Sequence, residues 1–600
     1  MTERRYIWRM ALFALGAGLI WALLGLRLAW LHLGNSAELE ARARSMHRTE
    51  RTLLVGRGRI FDASGTLLAT DLMARDICLN PPVVRESGHA EFIASRLAHI
   101  LDQEPSFIMN RIMNPPGPEF AYAGRFVDPI TAERIERMKL PGVFTRGVYA
   151  RFYPHGSLMS HVIGFSNREG VGSAGIEQHM DHHLRGRPGL RHSARDARRH
   201  EIYGKRSLDL PAQEGADVYL TLDKNVQDIV EWQLEMAVHE QEALGAWAVV
   251  QEIRTGRILA LASYPHFDLN EFNVANDLQK LNRAIGYTYE PGSTMKAAVF
   301  AAAFNEGLIT PHDRYDCEDG IWYYRGRPLR DFRPYGILTV TEALHKSSNI
   351  ATAKIALKLG EERLERYLRE FGFGSRPGSE LPGEERGIFA EHKNWDGLAI
   401  TRIPIGHSIS CTALHIASLY STLANGGRRM RPYVVDRVVG AEGNIIHKTK
   451  PEVVATPVRP EVARLMSRLL LGVTEEGTAR RAQIEGYSVA GKTGTTVKLV
   501  NGRYTTGRNV ASFAGFLPVE DPEITVVIVI DEPKGRTGGM TAAPVFQKVG
   551  EQLVRYLDIP THGRSHLYAR DPATTGEQAG QEAEFEWQVD QAVSGLPRGV

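Results

Sequence analysis

The carboxyl-terminal half of the chain is predicted to fold as an α/β layer with a helical lobe inserted into it. Apolar runs at 246–253 and 257–263 are joined by a short turn and indicate two strands. Three further strand-like runs come only after residue 488, and the stretch before them, to about residue 425, is rich in helical patterns. Five strands interrupted by helices fit one sheet that shares a cleft with a helical lobe. We therefore place one domain at 216–558.

Each element of this domain has a local signal. The segment 218–223 opens it as a strand, and Asp223 can cap the helix that follows to about Leu244. The run 524–531 is almost continuously apolar, which suits a central, buried strand. The last three strands and the closing helix are predicted at 488–495, 511–517, 524–531 and 544–557.

Composition and charge exclude several classes of function. The 600 residues are 43% hydrophobic and 24% charged, as in a globular protein. The net charge of +2 argues against nucleic acid as a partner. Cys78, Cys317 and Cys411 are far apart and show no paired spacing. Neither a disulfide framework nor a zinc site is therefore indicated.

The amino-terminal residues predict a membrane anchor. Residues 10–26 contain no charge, and after Arg27 the apolar character resumes to Leu33, which gives about 23 residues, enough to span a bilayer. No small-x-small cleavage site is evident, so we expect an uncleaved signal-anchor at 10–33 after a cytoplasmic tail at 1–9. Basic residues flank both ends, but the short tail and the large domain after the span favour export of that domain from the cytoplasmic membrane to the periplasmic or extracellular side. A buried core helix is the alternative.

Residues 34–215 are predicted to form a non-catalytic pedestal of helices and strands. The segment that begins Arg57-Gly-Arg-Ile-Phe-Asp indicates a strand, a turn and a second strand. Helical patterns follow at 87–113, 129–138 and 174–185. No nucleophile is paired with a base here, so we expect a scaffold or a partner-binding module.

Histidines and arginines are concentrated at the end of this pedestal. His179, His182 and His183 have spacings that a metal site can use, but exposed histidines on a charged helix are far more common, and we assign no metal site. The arginine-rich stretch 185–206 is predicted to be a solvated loop or hairpin. Interspersed acidic residues weaken the alternative of a membrane-surface contact.

The octapeptide Tyr-Glu-Pro-Gly-Ser-Thr-Met-Lys, residues 289–296, carries a candidate nucleophile at the start of a helix. Pro291 and Gly292 break the preceding structure, and the alanine-rich run after Lys296 continues as a helix. Residues three apart share a helix face, so Ser293 and Lys296 can touch. A lysine kept neutral by burial or by a second cation can take the proton of a serine hydroxyl. Alone, this Ser-x-x-Lys also fits an ordinary amphipathic helix with a surface lysine.

Two later motifs favour the catalytic interpretation. Ser347-Ser348-Asn349 follows an amphipathic stretch, and Lys492-Thr493-Gly494-Thr495 lies on a predicted edge strand. Ser-x-x-Lys, Ser-x-Asn and Lys-Thr-Gly, in this order, mark penicillin-recognising serine acyltransferases. Their separations leave room for a helical lobe and a return to the sheet, so the three motifs are expected to meet in the cleft.

Over residues 50–550 the chain resembles the class B penicillin-binding proteins, and within them the cell-division type of peptidoglycan D,D-transpeptidase. The resemblance rests on the three motifs and on further segments, which in this sequence are Arg57-Gly-Arg-Ile-Phe-Asp, Arg151-Phe-Tyr-Pro, Gly175-Ile-Glu, Asn282-Arg-Ala, Leu381-Pro-Gly-Glu, Thr422-Leu-Ala-Asn-Gly-Gly and Ala511-Ser-Phe-Ala-Gly-Phe-Leu-Pro. It implies the penicillin-binding transpeptidase fold, a five-stranded antiparallel sheet flanked by helices with a helical lobe, after an elongated α+β pedestal and a single transmembrane helix. The chain departs from the usual pattern at His407 and Cys411.

The resemblance also implies catalytic roles. Ser293 attacks the penultimate carbonyl of a stem peptide that ends in D-Ala-D-Ala, and Lys296 takes its proton. Ser347 relays a proton to the leaving amine, and Asn349 binds the stem amide and orients Lys296. Lys492 assists the relay and keeps Lys296 deprotonated by like-charge repulsion.

The Lys-Thr-Gly segment is implied to bind the substrate. Lys492, Thr493 and Thr495, with Gly494 between the threonines, hold the terminal carboxylate. Backbone N–H groups of Ser293 and Thr495 form the oxyanion hole. An amine of a neighbouring stem then attacks the acyl-enzyme and closes a crosslink, whereas a β-lactam leaves Ser293 acylated. No metal or organic cofactor is needed.

Several related functions stay open. The implied partners are stem peptides, β-lactams, the membrane, a membrane glycosyltransferase and other division proteins. An elongation-type transpeptidase is the nearest alternative; the compact pedestal and the segment from Gly175-Ile-Glu-Gln to Arg185-Gly-Arg-Pro-Gly favour division. A β-lactamase would need a water-activating group, and no Glu-x-x-Leu-Asn follows Ser347. Carboxypeptidase activity is an open side reaction, while the intact motifs and the short amino-terminal tail argue against a silent scaffold or a sensor.

We expect no further folded domain on either side of the pedestal and the α/β domain. We expect no glycosyltransferase region before residue 215 and no appended repeats after residue 558. Residues 559–600 mix Gly, Glu, Gln, Ala and Pro with little apolar periodicity, which predicts a disordered tail.

Overall fold

The computed structural model describes residues 2–31, 48–195, 201–202, 208–500, 503–534 and 537–561. The predicted disordered tail lies, from residue 562 on, outside the described residues. The chain divides into two compact units, one of residues 1–56 with 186–214 and one of residues 57–185 with 215–600.

The first unit begins with a long apolar helix, Thr2–Ala29. Its part Tyr6–Ala29 has a mean hydropathy of 1.9 and is not buried, so its apolar side chains lack a protein environment. The helix starts before the predicted span 10–33, and residues 32 and 33 lie outside the described part. One such helix near the amino terminus fits a single-pass membrane anchor.

A small antiparallel sheet belongs to the same unit. Its strands are Arg48–Leu53, Gly189–Arg195, Glu201–Ile202 and Leu208–Leu210. Gly189–Arg195 pairs with each of the other three. The arginine-rich stretch, predicted as a loop or hairpin, thus contributes two strands of a hairpin.

The second unit contains a mixed sheet that the sequence did not predict. Ile60 pairs in parallel with Val218, and Val218 pairs with Val438. The strands in spatial order are Ile445–Lys448, Val435–Val439, Asp217–Leu220, Ile60–Phe61, Leu67–Leu79 and Ala121–Val127, with Val143–Phe152 also paired to Leu67–Leu79. Pairing between such distant segments leaves no local pattern, so it becomes visible only in the folded chain.

The helices of the pedestal begin at clear signals. Three of them start with proline at their first position, where a missing N–H costs nothing. The predicted helix 87–113 is interrupted after Leu101, because Asp102 adopts a left-handed conformation with φ of +50°. The helices are Pro81–Glu86, Ala90–Leu101, Pro105–Met113, Pro129–Arg137, Ser160–Ile163, Gly175–His179 and Asp181–Leu184.

A five-stranded antiparallel sheet forms the centre of the domain, as predicted. In spatial order its strands are Ile258–Tyr264, Gly245–Glu252, Ile524–Asp531, Arg503–Leu517 and Ala490–Val500. Ile524–Asp531 is the middle strand, and all its residues are buried. The helices Lys224–Glu240 and Ala542–Tyr556 pack against each other and against the sheet, and Ala413–Ala424 also packs against it. The Lys-Thr-Gly segment therefore lies on an edge strand.

The inserted lobe is mainly helical. Its longer helices and the short ones near the site are Asp277–Lys280, Arg283–Gly286, Lys296–Asn305, Val340–His345, Asn349–Leu359, Glu361–Glu370, Ala399–Arg402 and Pro460–Glu475. Three two-stranded sheets join them: Arg314–Asp316 with Ile337–Thr339, Ile321–Tyr324 with Arg327–Arg330, and Arg429–Met430 with Val453–Ala455. The predicted α/β layer with an inserted lobe is confirmed.

The three cysteines lie in the core, whereas His179 and His182 are exposed. Cys78, Cys317 and Cys411 are buried and unpaired. The rings of His182 and His183 lie 4.0 Å apart. Within the described ranges, no group of three His, Cys, Asp or Glu side chains is placed to hold a metal ion.

Candidate active site

Ser293 lies on a tight turn at the start of a buried helix. The turn, Gly292–Met295, is a 3₁₀ helix and leads directly into Lys296–Asn305. Gly292 has φ of +58°, and a Cβ at this position would lie 2.5 Å from Thr496 Oγ1. Only glycine fits there, because it tolerates positive φ and has no side chain. Ser293 itself is half-buried, so part of the residue remains accessible.

The Ser-x-Asn motif lies between two lobe helices. Ser347 has φ of +59° and follows the helix Val340–His345. Ser348 is the N-cap of the helix Asn349–Leu359, and its hydroxyl accepts a hydrogen bond from Ala351 N at 3.1 Å. The cap fixes the start of this helix and, with it, the positions of Ser347 and Asn349 on either side of Ser348.

A chain of hydrogen bonds joins the first two motifs. Lys296 Nζ donates to Ser347 O at 2.5 Å, to Ser347 Oγ at 3.1 Å and to Asn349 Oδ1 at 2.7 Å. Ser347 Oγ in turn lies 3.1 Å from Ser293 Oγ. The two side chains are joined through Ser347: among the described residues no side-chain hydrogen bond links Ser293 directly to Lys296, whose backbone N–H donates to Ser293 O within the turn. The three protons of the ammonium group are all directed at the Ser-x-Asn motif.

Burial changes the basicity of Lys296. Its side chain is inaccessible, and desolvation lowers the pKa of Lys296 to about 7, against a smaller opposing effect of Asp331. A lysine amine with such a pKa is neutral in a large fraction of molecules near pH 7. The site therefore contains a base that can accept a proton from a hydroxyl.

Lys492 is buried in the edge strand beside this lysine. Burial, and then the charge of Lys296, lower the pKa of Lys492 well below its ordinary value. Burial is the main cause of the lowered pKa of both lysines, and repulsion between the two ammonium groups disfavours charging both at once. Lys492 Nζ makes a long hydrogen bond of 3.4 Å to Thr493 O, and none to Ser347 in the part of the chain that the structure describes.

The edge strand directly contacts the turn Gly292–Met295, called the nucleophile turn below because it carries the candidate nucleophile Ser293. A Cβ on Gly494 would lie 2.8 Å from Pro291 O, so the glycine of the Lys-Thr-Gly motif is needed for this approach. Thr493 is buried, and its Oγ1 lies 3.2 Å from Thr478 Oγ1. Thr495 is exposed, and its Oγ1 accepts from Gly538 N at 3.0 Å. The structure thus brings all three motifs together, with Thr495 open to a ligand.

Asp331 is a site residue that the sequence did not predict. Its carboxylate accepts from Ser348 Oγ at 2.7 Å, from Ile350 N at 3.0 Å and from Asn349 N. It therefore satisfies free N–H groups at the start of the helix that carries Asn349. Burial raises the pKa of Asp331. A carboxylate that caps a helix from a separate segment has no fixed spacing to it, which explains why the sequence pattern did not indicate it.

His407 and Cys411 lie on the segment that runs beside the nucleophile turn. Tyr289 and Cys411 exchange backbone hydrogen bonds of 2.9 and 3.0 Å. Burial raises the pKa of the Cys411 thiol, as expected for an unreactive core cysteine. His407 Nδ1 lies 2.8 Å from Glu290 Oε2. Both residues therefore contact the segment that leads into Ser293.

Two family models match the chain. The penicillin binding protein transpeptidase domain matches residues 246–551, and the penicillin-binding protein dimerisation domain matches residues 52–220. The probable peptidoglycan D,D-transpeptidase PenA of Neisseria meningitidis is 31% identical over 532 residues, which cover 87% of this chain and 88% of that protein. The peptidoglycan D,D-transpeptidase FtsI of Escherichia coli is 29% identical over 579 residues, covering 95% and 94%.

Solved structures give the same result. Penicillin binding protein 3 from Mycobacterium tuberculosis, complexed with aztreonam, superimposes with a TM-score of 0.67 at 26% identity, covering 85% of this chain and 98% of that chain. The chain therefore belongs to the class B penicillin-binding proteins, the family of peptidoglycan D,D-transpeptidases that its three motifs and their convergence on Ser293 indicate.

Proposed function

We propose that Ser293 carries the acyl group of this transpeptidase, that the enzyme crosslinks stem peptides during septal cell-wall synthesis, and that β-lactams acylate it. The observation that carries the catalytic assignment is the chain Lys296 Nζ to Ser347 Oγ to Ser293 Oγ, with 3.1 Å at each step. Both distances permit proton transfer between hydrogen-bonded groups.

The proton of the nucleophile travels through Ser347. As Ser293 Oγ forms a bond to the penultimate D-Ala carbonyl carbon, its proton passes to Ser347 Oγ, and the proton of Ser347 passes to neutral Lys296. The tetrahedral intermediate collapses, the bond to the terminal D-Ala nitrogen breaks, and the leaving amine receives a proton by the reverse route. An amine of a second stem then attacks the ester and forms the crosslink, while Ser293 regains its proton.

The edge strand binds the end of the donor stem. Thr493, Thr495 and Lys492 hold the terminal carboxylate, and the N–H groups of Ser293 and Thr495 stabilise the oxyanion. Lys492 has a strongly lowered pKa without a ligand, and a neighbouring carboxylate favours its charged form. Donor binding is thus coupled to proton uptake by Lys492, while Asn349 holds Lys296 in place through the 2.7 Å hydrogen bond.

Acylation is expected to depend on pH through Lys296. Because the folded-state pKa of Lys296 is lowered to about 7, the amine is a base above that pH and a protonated, inactive group below it. The first-order rate constant for acylation within the complex with a fluorescent penicillin, measured at saturating penicillin so that proton uptake on binding does not contribute, should fall about tenfold per pH unit below 7 and level off above it. Circular dichroism at each pH controls for unfolding. A flat profile between about pH 5.5 and 8.5 would contradict this role of Lys296.

The septal assignment is tested in the parent organism. The alignment with the Escherichia coli enzyme extends over 95% of this chain, so it includes the pedestal as well as the catalytic domain. A fluorescent fusion should concentrate at mid-cell, and depletion should produce filaments. Signal along the side wall with rounded cells would instead favour the elongation-type alternative.

The anchor defines where the enzyme works. We place the catalytic domain on the periplasmic or extracellular side of the cytoplasmic membrane, where its substrate is assembled, next to a membrane glycosyltransferase and other division proteins. A glycosyltransferase is required because glycan strands must be polymerised before their stems are crosslinked. Protease added outside intact spheroplasts should digest the catalytic domain.

A further inference from the structure

We propose that Glu290 is a positioning residue that fastens the nucleophile turn to two neighbouring segments, and that His407, Ser408 and Tyr504 complete this clasp. The proposal depends on the proposed role of Ser293, since it concerns the groups that hold this serine in place. None of the four residues belongs to the three catalytic motifs.

The Glu290 carboxylate is the centre of the clasp. Its Oε2 accepts from His407 Nδ1 at 2.8 Å, and its Oε1 accepts from Ser408 N at 2.9 Å and from Tyr504 OH at 3.1 Å. Burial and the charge of Glu290 raise the pKa of Tyr504, so its hydroxyl keeps the proton that it donates. One side chain therefore joins the nucleophile turn, the segment around 406–408 and the hairpin of Ala490–Val500 with Arg503–Leu517.

The backbone around the clasp leaves little freedom. A Cβ on Gly406 would lie 2.2 Å from Gly292 N and from Gly292 O, so the two glycines are in direct contact. On the other side, Gly292 packs against Thr495 and Thr496. Ser408 adopts a left-handed conformation with φ of +61°, which costs free energy and persists only where surrounding contacts hold it. The hydrogen bond from Ser408 N to the Glu290 carboxylate is one such contact.

The clasp joins the turn that carries Ser293 to the hairpin that carries Thr495. Glu290 is three residues before Ser293, and Tyr504 pairs with Leu499 in the hairpin that also carries Thr495. The separation of the two proposed oxyanion donors, Ser293 N and Thr495 N, thus depends on a fixed distance between turn and hairpin. A displacement of about 1 Å in such a site can reduce a rate by as much as a hundredfold.

Kinetics can separate positioning from ligand binding. Rapid mixing with a penicillin gives the dissociation constant Kd of the initial complex and the rate constant k2 of acylation. We expect Glu290→Ala to lower k2 by tenfold or more, on the order expected for such a displacement, and to leave Kd within about threefold. His407→Ala and Tyr504→Phe should lower k2 less, since each removes one of the bonds. His407→Asn should restore k2, because an amide N–H can replace the Nδ1–H donor.

Glu306→Ala is the matched control. Glu306 has a similar side-chain exposure, 23% against 20% for Glu290, and it also accepts from a tyrosine hydroxyl, that of Tyr367, at 2.7 Å. Glu306 directly follows the helix Lys296–Asn305, at the end away from the three motifs. Its removal should leave k2 unchanged even if the protein loses some thermal stability.

The outcomes are distinct. A folded Glu290→Ala variant with wild-type k2 would contradict the proposed positioning role of Glu290. A variant in which only Kd changes would contradict it as well. If Glu290→Ala does not fold, the comparison of His407→Ala with His407→Asn and Tyr504→Phe decides, and wild-type k2 in all three overturns the proposal. Failure of the unmodified protein to react with penicillin at Ser293 would instead refute the proposed function.

Discussion

Ser293→Ala is expected to abolish covalent labelling by a fluorescent penicillin while the protein stays folded. The hydroxyl of Ser293 makes one hydrogen bond among the described residues, to Ser347 Oγ, so its removal costs little stability. It removes the atom that forms the acyl bond, and neither lysine of the site can replace it, since both are buried. Mass spectrometry of the anchored protein in detergent should find the adduct on the peptide that contains Ser293 and nowhere else.

The labelling experiment has a simple control. Ser375→Ala removes a hydroxyl that donates to Gly372 O at 2.9 Å, far from the three motifs in sequence, and should leave labelling unchanged. Because a β-lactam ring opens without losing atoms, the adduct should add the mass of one intact penicillin. Labelling that persists in Ser293→Ala would show that another residue is the nucleophile.

Lys296→Ala should reduce the acylation rate constant by about a thousandfold, in the range that a general base contributes. The substitution removes the group that accepts the proton, and it leaves Ser347 and Asn349 without their shared donor. Lys296→Arg is the sharper variant. It retains a cation and several donors, but arginine stays protonated and cannot act as a base. Both variants should therefore be slow if Lys296 removes the proton.

Two comparisons distinguish a base from a structural cation. Lys354 is a half-buried lysine on the helix that starts at Asn349, and it donates to Asp316 O and to Glu318. The Lys354→Ala variant should keep a wild-type acylation rate. A Lys296→Arg enzyme with nearly wild-type acylation would show that positive charge, and not proton acceptance, is what the site requires. Thermal unfolding of each variant shows whether a lost rate reflects a lost fold.

Short sequence patterns correctly predicted the helices and strands that depend mainly on residues close together in the chain. Asp223 caps the helix Lys224–Glu240 through Asn225 N and Val226 N, as its position before the helix indicated. The continuous apolar run at 524–531 is the buried middle strand. Burial of a strand on both faces requires such a run, so the sequence pattern and the packing describe the same property.

Other features depend on contacts between distant segments. The pairing of Ile60 with Val218 could not be predicted, because strand partners are chosen by packing in three dimensions. The same holds for Asp331, which caps a helix from another segment of the lobe. The contact of His407 with Glu290 was hidden for the same reason, although both positions were visible in the sequence.

The sequence by itself determined which residue types are proposed to perform the chemistry and in what order they occur, since a nucleophile, a base and a carboxylate-binding strand require particular side chains. Only the tertiary structure decided that Ser347 bridges Ser293 and Lys296, and that burial is the main cause of the lowered pKa of both Lys296 and Lys492. Hydrogen-bond partners and desolvation depend on every segment that packs around a group, and spacing along the chain does not contain that information.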